Sequence, residues 1–237
     1  IKKAGIGSPG LIDTVSGKVC YSNNIRWSDH PLRDDIASAL GVPAAIANDA
    51  KCAALGEAVY GAGKGYSRVA MLTIGTGVGG GFAVNGKLDC GNPYADASGI
   101  FGHMVLFPDG KACNCGRKGC VESYCSATAV AARAQSVFGK PMTAKEVFAA
   151  AAEGNRVAKK IVDDFSLYLA TAMVNLANIL RPECFVIGGG VAGSAAQFLP
   201  AVRRILRKEV YGEKYAPVEV FSAALGNTAG IIGATVL

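Results

Sequence analysis

Along this chain short apolar runs are cut by glycines, and longer stretches repeat their apolar residues at helical spacing. Ile6 to Pro9 reads as a strand entering a turn, and Val19 to Trp27 as irregular structure that ends at a helix start. Pro31 to Leu40 has helical spacing, and Ala44 to Ala47 is a short buried strand. Asn48-Asp49 then opens a helix through Tyr60, with Asp49 suited to its N-terminal turn, and Gly61 to Gly65 closes it. Val69 to Ile74 and Gly81 to Val84 predict a hairpin of two strands joined by Gly75-Thr76-Gly77-Val78-Gly79-Gly80, followed by the turn residues Asn85-Gly86.

Residues 88 to 120 show no period and collect Gly, Pro, Asn, Asp and Cys, which predicts an irregular loop and metal module. From Val121 onward helices dominate: Glu122 to Val137, Thr143 to Ala152 and Arg156 to Leu180. A strand at Cys184 to Gly188 runs into Gly188-Gly189-Gly190 and a helix through Lys208. A strand at Val218 to Phe221 and a helix after Gly226 complete the pattern. Strands alternating with helices, with no internal repeat, place the chain in the α/β class.

Composition narrows the picture. The 237 residues are 51% hydrophobic and 18% charged, enough for a sizeable core and far from a disordered polymer. The net charge of +6 is dispersed, with no basic run carrying interleaved aromatics, so nucleic acid is not implied. No stretch has the uninterrupted apolar length of a membrane span. Eight cysteines, three of them at Cys113, Cys115 and Cys120, point to metal binding in a reducing compartment, and the cytoplasm is the expected location.

Four constellations carry chemistry. His103, Cys113, Cys115 and Cys120 have the donors and spacing to close tetrahedrally on Zn²⁺, and with four protein ligands the site is closed and therefore structural. The glycine run after the strand ending at Ile74 can offer backbone N–H groups to a phosphate, with the Thr76 hydroxyl as a further donor. A plain hairpin turn explains that run equally well, and it matches neither the Walker nor the dinucleotide fingerprint. Asn48-Asp49 puts an amide and a carboxylate at a helix mouth, where ligands bind in α/β sheets; a helix N-cap is the simpler account of Asp49. Gly188-Gly189-Gly190 is either a tight strand-to-helix turn or a bare surface for an adenosine.

In their order these segments resemble the ROK family of sugar kinases and sugar-responsive repressors, within the actin-like ATPase superfamily. The resemblance runs from Gly5-Ile6-Gly7-Ser8-Pro9-Gly10 through Ser22-Asn23-Asn24-Ile25-Arg26-Trp27, Asn48-Asp49 and the Gly75 to Gly81 run. It continues through Gly102-His103, the block Cys113-Asn114-Cys115-Gly116-Arg117-Lys118-Gly119-Cys120-Val121-Glu122, Gly188-Gly189-Gly190 and Leu225-Gly226-Asn227-Thr228-Ala229-Gly230. The cysteine block with its trailing Glu122 is the most specific piece.

The resemblance implies an actin-like ATPase (ribonuclease H-like) two-lobed fold with an incomplete N-terminal lobe. Residues 1–47 would be the remainder of that lobe. Residues 48–225 would form the C-terminal lobe with the zinc module at 88–125, and 226–237 a C-terminal helix returning to the first lobe. It also implies ATP-dependent phosphorylation of a hexose hydroxyl, most simply the glucose 6-hydroxyl, or of an N-acetylhexosamine. Asp49 would be the catalytic base, Asn48, His103 and Glu122 sugar contacts, and Gly10 and Asn24 part of the same pocket. Gly75, Thr76, Gly77 and Gly79 would hold phosphates and Gly188, Gly189 and Gly190 the adenosine, on opposite sides of a cleft, with Mg²⁺ accompanying the nucleotide. His103 would use one ring nitrogen for zinc and the other for the sugar.

Two departures bear on these expectations. Ile100 stands three residues before His103, where the family usually carries a Glu that contacts sugar hydroxyls, and Asp96 or Ser98 is the candidate substitute. The family's first phosphate loop, Asp-x-Gly-Gly-Thr, would precede Ile1; a protein starting at Ile1 is expected to hold ATP and Mg²⁺ poorly. Alternatives to a kinase are a sugar-responsive repressor with an N-terminal helix-turn-helix, and a zinc-stabilised sugar-binding module without catalysis. A homodimer is what the family commonly forms.

Overall fold

A computed structural model describes residues 1–22, 25–91 and 98–237. The elements are β1 (Ala4–Ser8), β2 (Leu11–Asp13), β3 (Lys18–Ser22), β4 (Trp27–His30), α1 (Leu32–Leu40), β5 (Ala44–Asn48), α2 (Asp49–Tyr60), β6 (Arg68–Ile74), β7 (Val78–Val84) and β8 (Lys87–Leu88). They continue with α3 (Glu122–Cys125), α4 (Ala127–Phe138), α5 (Ala144–Ala152), α6 (Arg156–Leu180), β9 (Cys184–Gly188), α7 (Ala195–Glu209), β10 (Glu219–Ser222) and α8 (Ala229–Ala234). The α/β class read from the sequence is the one observed. The strands form three sheets: five strands in the order β10-β9-β6-β7-β8, a parallel pair β1-β5 and an antiparallel trio β2-β3-β4. Among the described residues no helix is long and apolar enough to cross a membrane.

Backbone contacts divide the chain into two units: residues 1–71, 80–100 and 223–237 form one, and residues 72–79 and 101–222 the other. These divisions follow different lines from the lobes expected from the resemblance, because α2 and the start of β6 group with β1 and β5 rather than with the helices that follow.

In the first unit Ile12, Val19, Leu32 and Ile46 make a small core, with Ile6, Trp27 and Ile36 packed against it. Strand β3 supplies part of that core through Val19, which is fully buried, while Tyr21 further along the strand is exposed. The expected irregular stretch from Val19 to Trp27 is therefore corrected to include β3 and the start of β4. Its polar, turn-like residues hide a pairing in which Tyr21 faces Ser28 and Val19 faces His30. Helix α8 lies against α2 at backbone distance. A Cβ on Gly233 would stand 1.6 Å from the Cys52 carbonyl oxygen, and one on Gly56 would stand 2.4 Å from that of Ala229. Fully buried Glu57 completes the join, its carboxylate accepting from the N–H groups of Ala62 (2.8 Å), Ala224 (3.1 Å) and Leu225 (2.7 Å). A buried carboxylate needs such partners, so the segment from Ala223 is fixed to α2.

In the second unit Phe148 of α5, Phe165 of α6 and Phe198 of α7 meet edge-on or tilted, with centroids 5.3 to 5.8 Å apart. Helix α5 starts with a capping box, Thr143 accepting from the Glu146 N–H while Glu146 accepts from Thr143. The single helix expected over Glu122 to Val137 is corrected to two. Ser126 leaves helical geometry and caps α4 by accepting from Ala129 N–H at 3.0 Å, a break that residue propensity alone does not reveal.

Candidate functional site

In the first unit the chemistry sits at the ends of two parallel strands. Strands β1 and β5 pair in register, Ser8 opposite Asn48, so the loop through Gly10 and the start of α2 leave the sheet side by side. Asn48 is the N-cap of α2: its Oδ1 accepts from Ala50 N–H (3.0 Å) and Lys51 N–H (3.3 Å), while its Nδ2 donates to the Gly10 carbonyl (3.1 Å). Both ends of the amide are thus occupied in holding the mouth together. Gly10 is at φ +115°, and a Cβ there would lie 2.3 Å from the Tyr21 carbonyl oxygen, so this crossing requires glycine.

Asp49 follows as the first helical residue. The capping role that the sequence allowed it belongs to Asn48, which leaves the Asp49 carboxylate exposed, with one oxygen 2.8 Å from Ala50 N–H. Asp49 borders a cavity of about 440 Å³ whose lining includes Gly5, Gly7, Asn227 and Thr235. Asn24 and Asp96 lie outside the described residues. Ser98 donates to the Asp89 carbonyl (2.9 Å) and accepts from Lys51 Nζ (3.3 Å), so its hydroxyl is engaged in the framework; Ile100 is 45% exposed.

In the second unit His103 ends a single 3₁₀ turn, Phe101–His103. Gly102 lets that turn lie on β7, since a Cβ there would meet the Val78 carbonyl oxygen at 2.0 Å. The cysteines follow on a tight knuckle closed by Cys113 N–H to Arg117 O (2.8 Å), Gly119 N–H to Lys111 O (2.8 Å) and Leu106 N–H to Gly119 O (2.7 Å). Gly119, at φ +76°, passes under the Phe107 carbonyl at a distance no side chain permits.

The donor atoms of His103, Cys113, Cys115 and Cys120 all lie within 4.8 Å of one another. His103 Nδ1 is 3.6 Å from Cys113 Sγ, and Cys115 Sγ is 3.6 Å from Cys120 Sγ. A tetrahedron with metal–sulfur bonds of about 2.3 Å has edges of about 3.8 Å, so these separations fit a tetrahedral cation. The thiols differ in their readiness to ionise. Hydrogen bonding from the Arg117 backbone N–H brings Cys115 down to about 7, while burial pushes Cys120 up to about 12.

Glu122 connects the knuckle to the glycine run. Its Oε2 accepts from Val78 N–H (2.9 Å), and its Oε1 lies 3.9 Å from Cys113 Sγ. Gly77 makes room for it, as a Cβ there would sit 2.4 Å from the carboxylate. Two further bonds, unremarked in the sequence, hold the same loop: Ala127 N–H to Gly75 O (2.8 Å) and Thr128 Oγ1 to Thr76 O (2.8 Å). Gly75 N–H turns inward to Gly77 O (2.9 Å), and Gly79 belongs to β7.

The two glycine runs, expected on opposite sides of a cleft, are instead neighbours within this unit. Gly189, at φ +80°, lies on the Ile74 peptide, where a Cβ would come within 2.5 Å of the carbonyl oxygen. The cause is strand order: β9 is next to β6, so Gly188, Gly189 and Gly190 leave the sheet beside Gly75 and Thr76.

Comparison with known proteins bears directly on this arrangement. Residues 1–237 match the model of the ROK family. The chain is 37% identical to a glucokinase of Halalkalibacterium halodurans over 97% of its own length and 73% of the relative's. It is 34% identical to an N-acetyl-D-glucosamine kinase of Escherichia coli, covering 98% of itself and 79% of that protein. A ROK family glucokinase from Streptomyces griseus, solved with glucose and AMPPNP, superposes with a TM-score of 0.85 at 32% identity, over 99% of this chain and 80% of that one. Paired glycine runs, an Asn-capped aspartate and a Cys₃His knuckle thus sit in a chain whose whole length fits one family, and the chain belongs to the ROK family.

Proposed function

We propose that the protein transfers the γ-phosphoryl group of ATP to a hydroxyl of a hexose, the 6-hydroxyl of glucose being the simplest acceptor, with Asp49 as general base. The observation that carries this reading is the division of labour at the mouth of α2. Asn48 satisfies the helix N-terminus, so the adjacent carboxylate is exposed and available to a ligand. In the reaction the acceptor oxygen forms a bond to the γ-phosphorus, the bond to the β-phosphate oxygen breaks, ADP leaves, and the hydroxyl proton passes to Asp49. Mg²⁺ accompanies the nucleotide and offsets charge on its phosphates. Gly75, Thr76, Gly77 and Gly79 hold phosphates, Gly188 to Gly190 face the adenosine, and Gly10, Asn24, Asn48, His103 and Glu122 contact the sugar.

Zn²⁺ is the cation that suits three thiols and an imidazole, and its part is structural. It would be held by Cys113, Cys115, Cys120 and His103 Nδ1, which leaves the Nε2 edge of His103 for a sugar hydroxyl and fixes its tautomer. Support for a kinase rather than a binding module comes from glucokinase and N-acetylglucosamine kinase relatives above 30% identity.

ADP release measured over a panel of hexoses and N-acetylhexosamines tests the reading, and no turnover with any sugar refutes it. Asp49→Asn is expected to lower kcat by about 10²- to 10⁴-fold, the range for loss of a general base, while calorimetry still detects sugar binding.

A further inference from the structure

Helix α2 carries a lysine that the proposed chemistry does not use. Lys51 is only 3% exposed, two residues beyond Asp49, and burying an ammonium group is unfavourable unless it is well partnered. One partner is Ser98 Oγ at 3.3 Å, and Ser98 in turn donates to the Asp89 carbonyl at 2.9 Å. The segment these bonds hold lies directly on the sheet. Gly99, at φ +69°, faces Gly81 so closely that a Cβ on it would stand 3.3 Å from the Gly81 Cα. A Cβ on Gly81 would meet Ala54 Cβ at 2.7 Å and Lys51 Cα at 3.1 Å. Helix α2, strand β7 and residues Ser98–Gly99 are therefore stacked at backbone distance, with the Lys51 ammonium at the join. Next in the chain comes Ile100, an apolar side chain 45% exposed, and three residues further His103.

We infer that Lys51, acting through Ser98, is a positioning residue for sugar selection: it fixes the backbone that presents Ile100 and leads to His103 from the same helix that carries Asp49. A methionine fills similar volume without the desolvation penalty, so packing alone does not call for a lysine here. The inference rests on the kinase reading for its substrate class.

The test measures kcat, sugar KM and ATP KM for glucose and N-acetylglucosamine, with calorimetric sugar Kd and thermal unfolding, on the native protein, Lys51→Met, Lys51→Arg and Ser98→Ala. Lys51→Met is expected to raise sugar KM and Kd by about tenfold, with kcat and ATP KM within about twofold, because misplacing a positioning group weakens ligand alignment. Ser98→Ala shifts the same constants in the same direction by a smaller factor, and Lys51→Arg restores part of the affinity. A lysine with a merely structural role would lower the unfolding midpoint and the active fraction and leave sugar KM unchanged, which overturns the inference. A Lys51→Met protein too unstable to assay leaves Ser98→Ala to decide: unchanged sugar KM in that variant also overturns it. If native protein binds sugar without releasing ADP, the kinase reading fails and the Kd series alone decides the role of Lys51. If native protein binds no sugar, both fail.

Discussion

Asp49 opens a helix and His103 closes a short 3₁₀ turn, and the two are kept in place by different means. Asp49 is placed by regular structure: parallel pairing of β1 with β5, a helix whose N-terminus is capped by Asn48, and Gly10 crossing Tyr21. His103 is placed by a knuckle with almost no regular structure, in which four side chains converge and glycines allow the backbone to pass over itself. Backbone ladders need no ligand to persist. A cluster of three thiols and an imidazole held on short turns gains stability from whatever it binds. The first arrangement should therefore tolerate loss of a single polar contact, and the second should fail when one ligand is removed.

Asp49→Asn sets the upper end of the scale, because its 10²- to 10⁴-fold loss of turnover should come with an unchanged unfolding midpoint; a large fall in stability would mean that Asp49 is a framework residue after all. If the knuckle holds zinc as proposed, elemental analysis should find one equivalent in the native protein and none in Cys120→Ser, which should also lose about 3 kcal/mol of stability in urea unfolding, as loss of a metal site does. If the variant keeps its metal or its stability, the knuckle does not depend on an ion. Asn48→Ala should reduce stability by about 1 kcal/mol, the usual effect of losing an N-cap, and leave zinc content intact.

The smallest expected effect concerns Asp164, which pairs with Arg133 across α4 and α6 and with Lys160 at 2.6 Å. Burial pushes its carboxyl up, but the hydrogen bond from Lys160 and the charge of Arg133 outweigh it and hold it below the usual range. A carboxyl depressed in the folded state stabilises fully above its unfolded pKa and loses that contribution as pH falls through the folded value. Unfolding free energy should thus carry a contribution of about 1 kcal/mol at neutral pH that vanishes in acid, and Asp164→Asn should flatten that part of the profile.

Much of the chemistry was legible because it rides on local rules. The spacing of Cys113, Cys115 and Cys120 predicted donor atoms that converge, and a glycine run after an apolar strand marked a loop. The boundaries of α5 and α6 also follow local signals, in the capping box at Thr143 and the Asn155 cap. Other features depend on partners far along the chain. Strand β3 was hidden because its burial does not alternate along the strand and its pairing is with β4, further along the chain. The break at Ser126 and the bonds from Ala127 and Thr128 to Gly75 and Thr76 arise only when the segments meet.

By itself the sequence determined which residues could do chemistry, since donor type, carboxylate and glycine are covalent facts that no folding alters. Tertiary structure decided which of them are free to do it. Asn48 rather than Asp49 caps α2, Glu122 bonds to Val78, Ser98 is held by Lys51, and Gly189 rests on Ile74 beside the other glycine run. Each of those outcomes turns on which hydrogen-bonding group or backbone surface comes within about 3 Å, and strand order and helix crossing set that distance.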